Sequence, residues 1–199
     1  MTVSVGSVLA ALALAGAGGC VGGYSTWPPI EDGKPTFTDI NYLTGQTIVG
    51  EAAAMVVSRF SPEESPTRGS FYEGQIALSL PQGATYEAYG AITRRIGPNC
   101  EPATAANTTL PTYLVDRIYI RGPVAEVDIY APTARFGAAG AASATASSGT
   151  PRYQKITVYL AGGTKPWRVT SHRSFPVGLF DVPVRNEMPE WGGGPSNTW

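Results

Sequence analysis

Apolar side chains recur along this chain in two rhythms, and each rhythm predicts an element. From Gln46 to Phe60 the spacing is four residues. Ile48, Ala52, Val56 and Phe60 fall on one row, with Val49, Ala53 and Val57 on the next. That pattern predicts a helix with a wide buried stripe, stopped by Ser61-Pro62. Gln75 to Leu80 instead alternate, with Ile76, Leu78 and Leu80 on one side, which predicts a strand. A second helix is predicted from Thr85 to Ile96. Thr85 can cap its start, Glu87 sits in the first turn, and Ala88, Ile92 and Ile96 form its apolar row. Arg94 and Arg95 meet the negative end of the helix dipole, and Gly97-Pro98 ends the helix. Residues 98–111 read as a loop.

Tyr113 to Ala131 carries the most specific local signal. Two alternating runs flank Gly122-Pro123, whose backbone preferences fit a type II′ turn. That turn sets a register. Arg121 opposes Val124, Tyr119 opposes Glu126, and Arg117 opposes Asp128. On the other face Ile120 meets Ala125, Ile118 meets Val127, and Asp116 meets Ile129. Asp116 on the apolar side and Val124 on the polar side are the two residues out of place.

Residues 132–152 contain the low-complexity run GAAGAASATASSG, which buries little and reads as a loop. Tyr153 to Ala161 then alternates with Ile156, Val158 and Leu160 inward. A turn over Gly162 to Pro166 leads into a last strand, Trp167 to Ser174. From Phe175 onward prolines and glycines replace periodicity. The early part of this stretch is expected to lie along the domain, and residues 187–199 to form a flexible tail. The expected fold is α+β: two helices packed on one face of a mainly antiparallel sheet of four to five strands, the other face in water. It occupies residues 39–186.

The amino-terminal segment has a different pattern. Met1 to Gly19 holds no charged residue, Val8 to Ala15 is an unbroken apolar run, and Gly16-Ala17-Gly18-Gly19 precedes Cys20. Such a run is far short of the roughly 20 apolar residues that span a bilayer. The layout resembles the signal peptide of a bacterial lipoprotein, with Ala17-Gly18-Gly19-Cys20 as the lipobox. The resemblance implies removal of residues 1–19, fatty acylation (palmitate) of Cys20, and a cell-envelope location on a membrane. Val21 after the cysteine favours the outer membrane by the same resemblance. A secretory signal cleaved without lipidation and a buried N-terminal helix, the latter disfavoured by Gly16, Gly18 and Gly19, are the alternatives. Residues 20–38, with Gly22, Gly23, Pro28, Pro29, Gly33 and Pro35, read as a flexible tether.

Composition narrows the function classes. Of 199 residues, 43% are hydrophobic and 15% charged, and the net charge is −1. With no basic block, nucleic acid is not an expected partner. One His and one free Cys make a poor start for a zinc site, and no spaced carboxylates resemble a calcium loop, so no metal or cofactor is expected. If Cys20 carries lipid, Cys100 has no partner in the chain; otherwise a Cys20–Cys100 disulfide is open. Cys100 follows a helix C-terminus, where the dipole opposes a thiolate, and reads as an inert packed thiol. His172, on the last strand, is placed by alternation beside Arg168 and Thr170 and opposite Val169. It has no acid or nucleophile partner at a fixed spacing.

Alternation gathers Arg117, Tyr119, Arg121, Glu126, Asp128, Tyr130, Lys155, Thr157 and Tyr159 on the water-facing side of the sheet. Tyr and Arg are favoured in binding surfaces, so this face is the candidate site. The reading is a membrane-anchored envelope lipoprotein acting as a non-catalytic interaction or assembly module for a protein or glycan partner. A small-ligand carrier with an apolar cavity near Asp116, between helices and sheet, is the alternative. A hydrolase built on His172 comes third.

Overall fold

A computed structural model of the protein describes residues 25–28, 39–60, 62, 74–133 and 152–190. Cys20 and the proposed signal peptide lie outside the described residues, as do most of the 20–38 spacer and residues 134–151 of the low-complexity loop.

Among the described residues two α-helices and seven strands make an α+β domain. Helix α1 spans Leu43–Arg59 and α2 spans Tyr86–Ile96. The strands are β1 Ser25–Trp27, β2 Ile76–Ser79, β3 Cys100–Pro102, β4 Thr112–Arg121, β5 Val124–Pro132, β6 Tyr153–Ala161 and β7 Arg168–Ser174. They form one sheet in the order β3-β2-β4-β5-β6-β7, with β1 also on β4. β2 runs parallel to both β3 and β4, and every other pairing is antiparallel. The sheet is therefore mixed and seven-stranded, not a mainly antiparallel sheet of four to five strands. Two short strands account for the excess. β3 comes from residues read as loop, and β1 from within the span read as tether. The parallel pairing arises because α2 carries the chain back between β2 and β3.

α2 forms as its capping residues dictate. The Thr85 hydroxyl accepts from the Ala88 amide at 3.3 Å, and Gly97 ends the helix at φ +145°. α1 begins earlier than its apolar rhythm, at Leu43, and lies on β4–β7. Small residues let it pack closely: at Gly50 an added Cβ would sit 2.6 Å from the Arg95 side chain of α2. The core fills the space between helices and sheet, with Ile48 and Val56 of α1, Ile92 of α2, and Ile118, Val127 and Val158 all buried. Two buried tyrosines spend their hydroxyls on backbone. Tyr113 donates to the Phe60 carbonyl at 2.9 Å, and Tyr89 accepts from the Leu80 amide at 3.0 Å.

The β4–β5 hairpin has the register its turn implies, from Arg121↔Val124 through Arg117↔Asp128. Gly122 takes φ +55° at the turn. The alternation then breaks: Ile129 pairs with Val115, and Asp116 is the extra residue of a β-bulge. The bulge carries Asp116 off the apolar side onto the outer face, where Arg117, Lys155 and Asp128 act on its carboxyl. A second bulge, at Thr170, does the same to β7. Tyr159 pairs with Ser171 but Leu160 with Val169, so His172 pairs with Val158 and shares the helix-covered face with Val169. This corrects the placement of His172 beside Arg168 and Thr170.

Candidate functional site

The outer face of β4, β5 and β6 carries every side chain that alternation placed there, but only part of it meets water. Arg117, Arg121 and Glu126 are exposed, and Tyr119 and Tyr159 half-buried. Asp128, Tyr130 and Thr157 are buried, at 7%, 5% and 7% exposure. The expectation of a uniformly solvated face is corrected here, and the cover is the chain beyond β7.

That cover is held largely through backbone groups. Phe175 donates its amide to the Lys155 carbonyl at 3.0 Å, and Gly178 to that of Tyr153 at 3.1 Å. Further on, the Asn186 amide donates to Ser79 Oγ at 2.8 Å, and that hydroxyl donates to the Asn186 carbonyl at 2.9 Å. Arg185 donates to the Thr104 carbonyl at 2.9 Å and to Asn107 Oδ1 at 2.8 Å. Met188, inside the span read as tail, donates to the Ala103 carbonyl at 2.8 Å. Residues 175–188 thus form a strap from the β7 edge to the β3 edge.

Beneath the strap sits an ion pair. Lys155 Nζ lies 2.9 Å from Asp128 Oδ2, with side-chain exposures of 17% and 11%. Thr157 donates to the other carboxylate oxygen at 2.6 Å. The Lys155 ammonium also stands over the rings of Phe180, at 5.0 Å, and Tyr130, at 5.9 Å. Burial works against the charge on Lys155, but the Asp128 hydrogen bond and charge outweigh it, so its pKa is raised. Burial pushes the Tyr130 phenol up, with Lys155 offsetting part of that rise. Burial likewise raises the Asp116 carboxyl; Arg117 and Lys155 oppose the shift and the Asp128 charge adds to it. Arg117 donates to the Tyr119 hydroxyl at 2.9 Å.

No protein-family model, no curated protein and no solved structure matches this chain.

The covered half therefore reads as a structural ion-pair network, and the open half, Arg117, Tyr119, Arg121, Glu126 and Tyr159, as the accessible polar surface. Alternation could not show Phe180 or the rest of the strap above this face. Asp116 did leave a trace, an acid out of phase in an otherwise apolar row.

A cleft of about 640 Å³ opens elsewhere, between the C-terminal half of α1, the end of α2 and the first residues of β2, β3 and β7. Met55, Val57, Ile76, Ile96 and Val169 give it an apolar wall, and Cys100 lies within it as a free, buried thiol. Burial, with Glu101 adding to it, pushes that thiol up to about 12. The expected cavity beside Asp116 is not this one, because Asp116 points to the opposite side of the sheet. His172 packs edge-on against Phe60, ring centroids 5.5 Å apart. Among the described residues no carboxylate or hydroxyl hydrogen-bonds to it. Among those residues, too, no group of three or more His, Cys, Asp or Glu could hold a metal ion. No described helix is long and apolar enough to cross a membrane.

Proposed function

We propose that this chain is a lipid-anchored cell-envelope protein acting as a non-catalytic interaction or assembly module. The observation that carries the reading is the charge-free run through Val8–Ala15 into Ala17-Gly18-Gly19-Cys20. The module offers the open half of its outer face, Arg117, Tyr119, Arg121, Glu126 and Tyr159, to a protein or glycan partner. Tyrosines with guanidinium and carboxylate neighbours supply ring faces and charge-assisted hydrogen bonds, the chemistry such partners need. Cells fed labelled palmitate test the anchor. The chain should take up label and follow detergent on phase separation, and Cys20→Ala should do neither. An unlabelled wild-type chain that stays in the aqueous phase defeats the proposal.

The carrier reading draws support from the apolar cleft instead. It expects a hydrophobic fluorescent probe to bind with saturation and to lose affinity when Val169→Glu puts a charge on the wall. Binding unchanged by that substitution removes the cleft from consideration.

A further inference from the structure

A lipid on Cys20 would hold the domain on a short leash. Ser25 already pairs with Ile120 at the far end of β4. Cys20 is five residues before Ser25 in the chain. At about 3.6 Å per residue those five reach at most about 18 Å. The ten residues of β4 extend roughly 30 Å. The hairpin end of the domain is therefore the end kept within reach of the bilayer, while the leash places no such limit on the start of β4.

That end is built as one platform from two turns. The Gly162 amide donates to the Pro123 carbonyl at 2.8 Å, which ties the β6–β7 turn to the β4–β5 turn. The Trp167 ring folds back over Gly162, and an added Cβ there would overlap it. Val124 is 49% exposed at the tip. Arg121, Lys165 and Arg168 are all exposed; residues 160–170 contain no carboxylate, and the acid adjoining the β4–β5 turn is Glu126, exposed on β5, so cations outnumber carboxylates at this end. Positive charge, an exposed valine and a half-buried indole at the anchored end are the features of a surface that rests on anionic headgroups.

We infer that the paired β4–β5 and β6–β7 turns dock on an anionic phospholipid surface through Arg121, Lys165 and Arg168, orienting the anchored domain with β4 rising from the membrane. The inference rests on the lipidation of Cys20. Each cation near such a surface shifts the docked population about fivefold, so neutralising all three lowers it on the order of a hundredfold. Salt weakens the contact.

The full acylated protein, purified in detergent and reconstituted, provides the test. One vesicle set is phosphatidylcholine alone and the other contains phosphatidylglycerol, each with a headgroup-level quencher lipid. A fluorophore is placed at Val124→Cys or, as the far-end control, at Thr109→Cys. The Val124 label should be quenched in phosphatidylglycerol vesicles and the Thr109 label spared. Arg121→Gln with Lys165→Gln and Arg168→Gln should abolish that quenching while the protein stays vesicle-bound. The exposed Lys165→Gln alone should lower it about fivefold. Anchored protein quenched equally at both positions, or equally in both lipids, overturns the inference and leaves the anchor standing. A chain whose amino-terminal mass shows no acyl group, and which floats with neither vesicle, overturns the anchor and the docking together.

Discussion

Lys155 reaches Asp128 across the β5–β6 pairing at 2.9 Å while the Thr157 hydroxyl fills the second carboxylate oxygen at 2.6 Å. The pair is mostly removed from water, so taking away one partner leaves the other buried and charged. Lys155→Met should cost about 2–3 kcal/mol, below the roughly 3–5 kcal/mol of a fully enclosed pair because some solvent reaches both groups. Adding Asp128→Asn should recover much of that loss, since the amide oxygen still accepts from Thr157. Urea unfolding of the two variants decides it.

Asp116 contributes to pH dependence. Its carboxyl titrates above the ordinary value of 3.8 in the folded protein, so between 3.8 and that raised value the folded state holds a proton the unfolded chain has lost. Stability must fall as pH rises through this window, and the loss persists at neutral pH. Asp116→Asn should be more stable than the parent at pH 7 and lose that advantage below pH 3.8. Thermal unfolding at several pH values reads the effect.

Cys100 should be slow to react. With its thiol pushed up to about 12, almost none is thiolate at pH 8. A chromogenic disulfide should modify it only as the protein unfolds, so the rate should rise with urea in step with the unfolding transition. Fast modification of the native protein would mean that the cleft opens.

Ser79 holds the strap with both halves of its hydroxyl. Ser79→Ala leaves the Asn186 amide without its acceptor and its carbonyl with only the longer Tyr89 hydroxyl contact at 3.4 Å, and should cost about 1–3 kcal/mol. Limited proteolysis after residue 175 should quicken in the same variant.

Gly122 sits at φ +55°, a conformation that costs a side chain about 1–2 kcal/mol. Gly122→Ala should lower the melting temperature accordingly, with the β4–β5 register kept by the pairs on either side.

How far the fold could be read depended on what each element needs. The β4–β5 register was legible because Gly122-Pro123 fixes the turn and the turn fixes every pair up to Arg117↔Asp128. α2 was legible because cap, dipole charges and terminator agree. The bulges were harder to read, since an added residue reverses all facing beyond it: at Asp116 the only trace is an acid out of phase in an apolar row, and at Thr170 there is none. That reversal misplaced His172. Three-residue strands such as β1 and β3 are too short to show a period. The strap over Tyr130 and Lys155 is hidden for a related reason: Phe175, Gly178 and Met188 attach through amides that any residue but proline has. The candidate face could thus be assembled from alternation, while its division into a covered and an open half could not.

The strap also makes the cover of this flank depend on chain that the sheet itself does not need. β4, β5 and β6 keep all their pairings to one another without Asn186 or Met188, so a chain cut ahead of Asn186 retains the hairpins but bares Tyr130 and the Asp128–Lys155 pair, a sticky flank of the kind that invites aggregation.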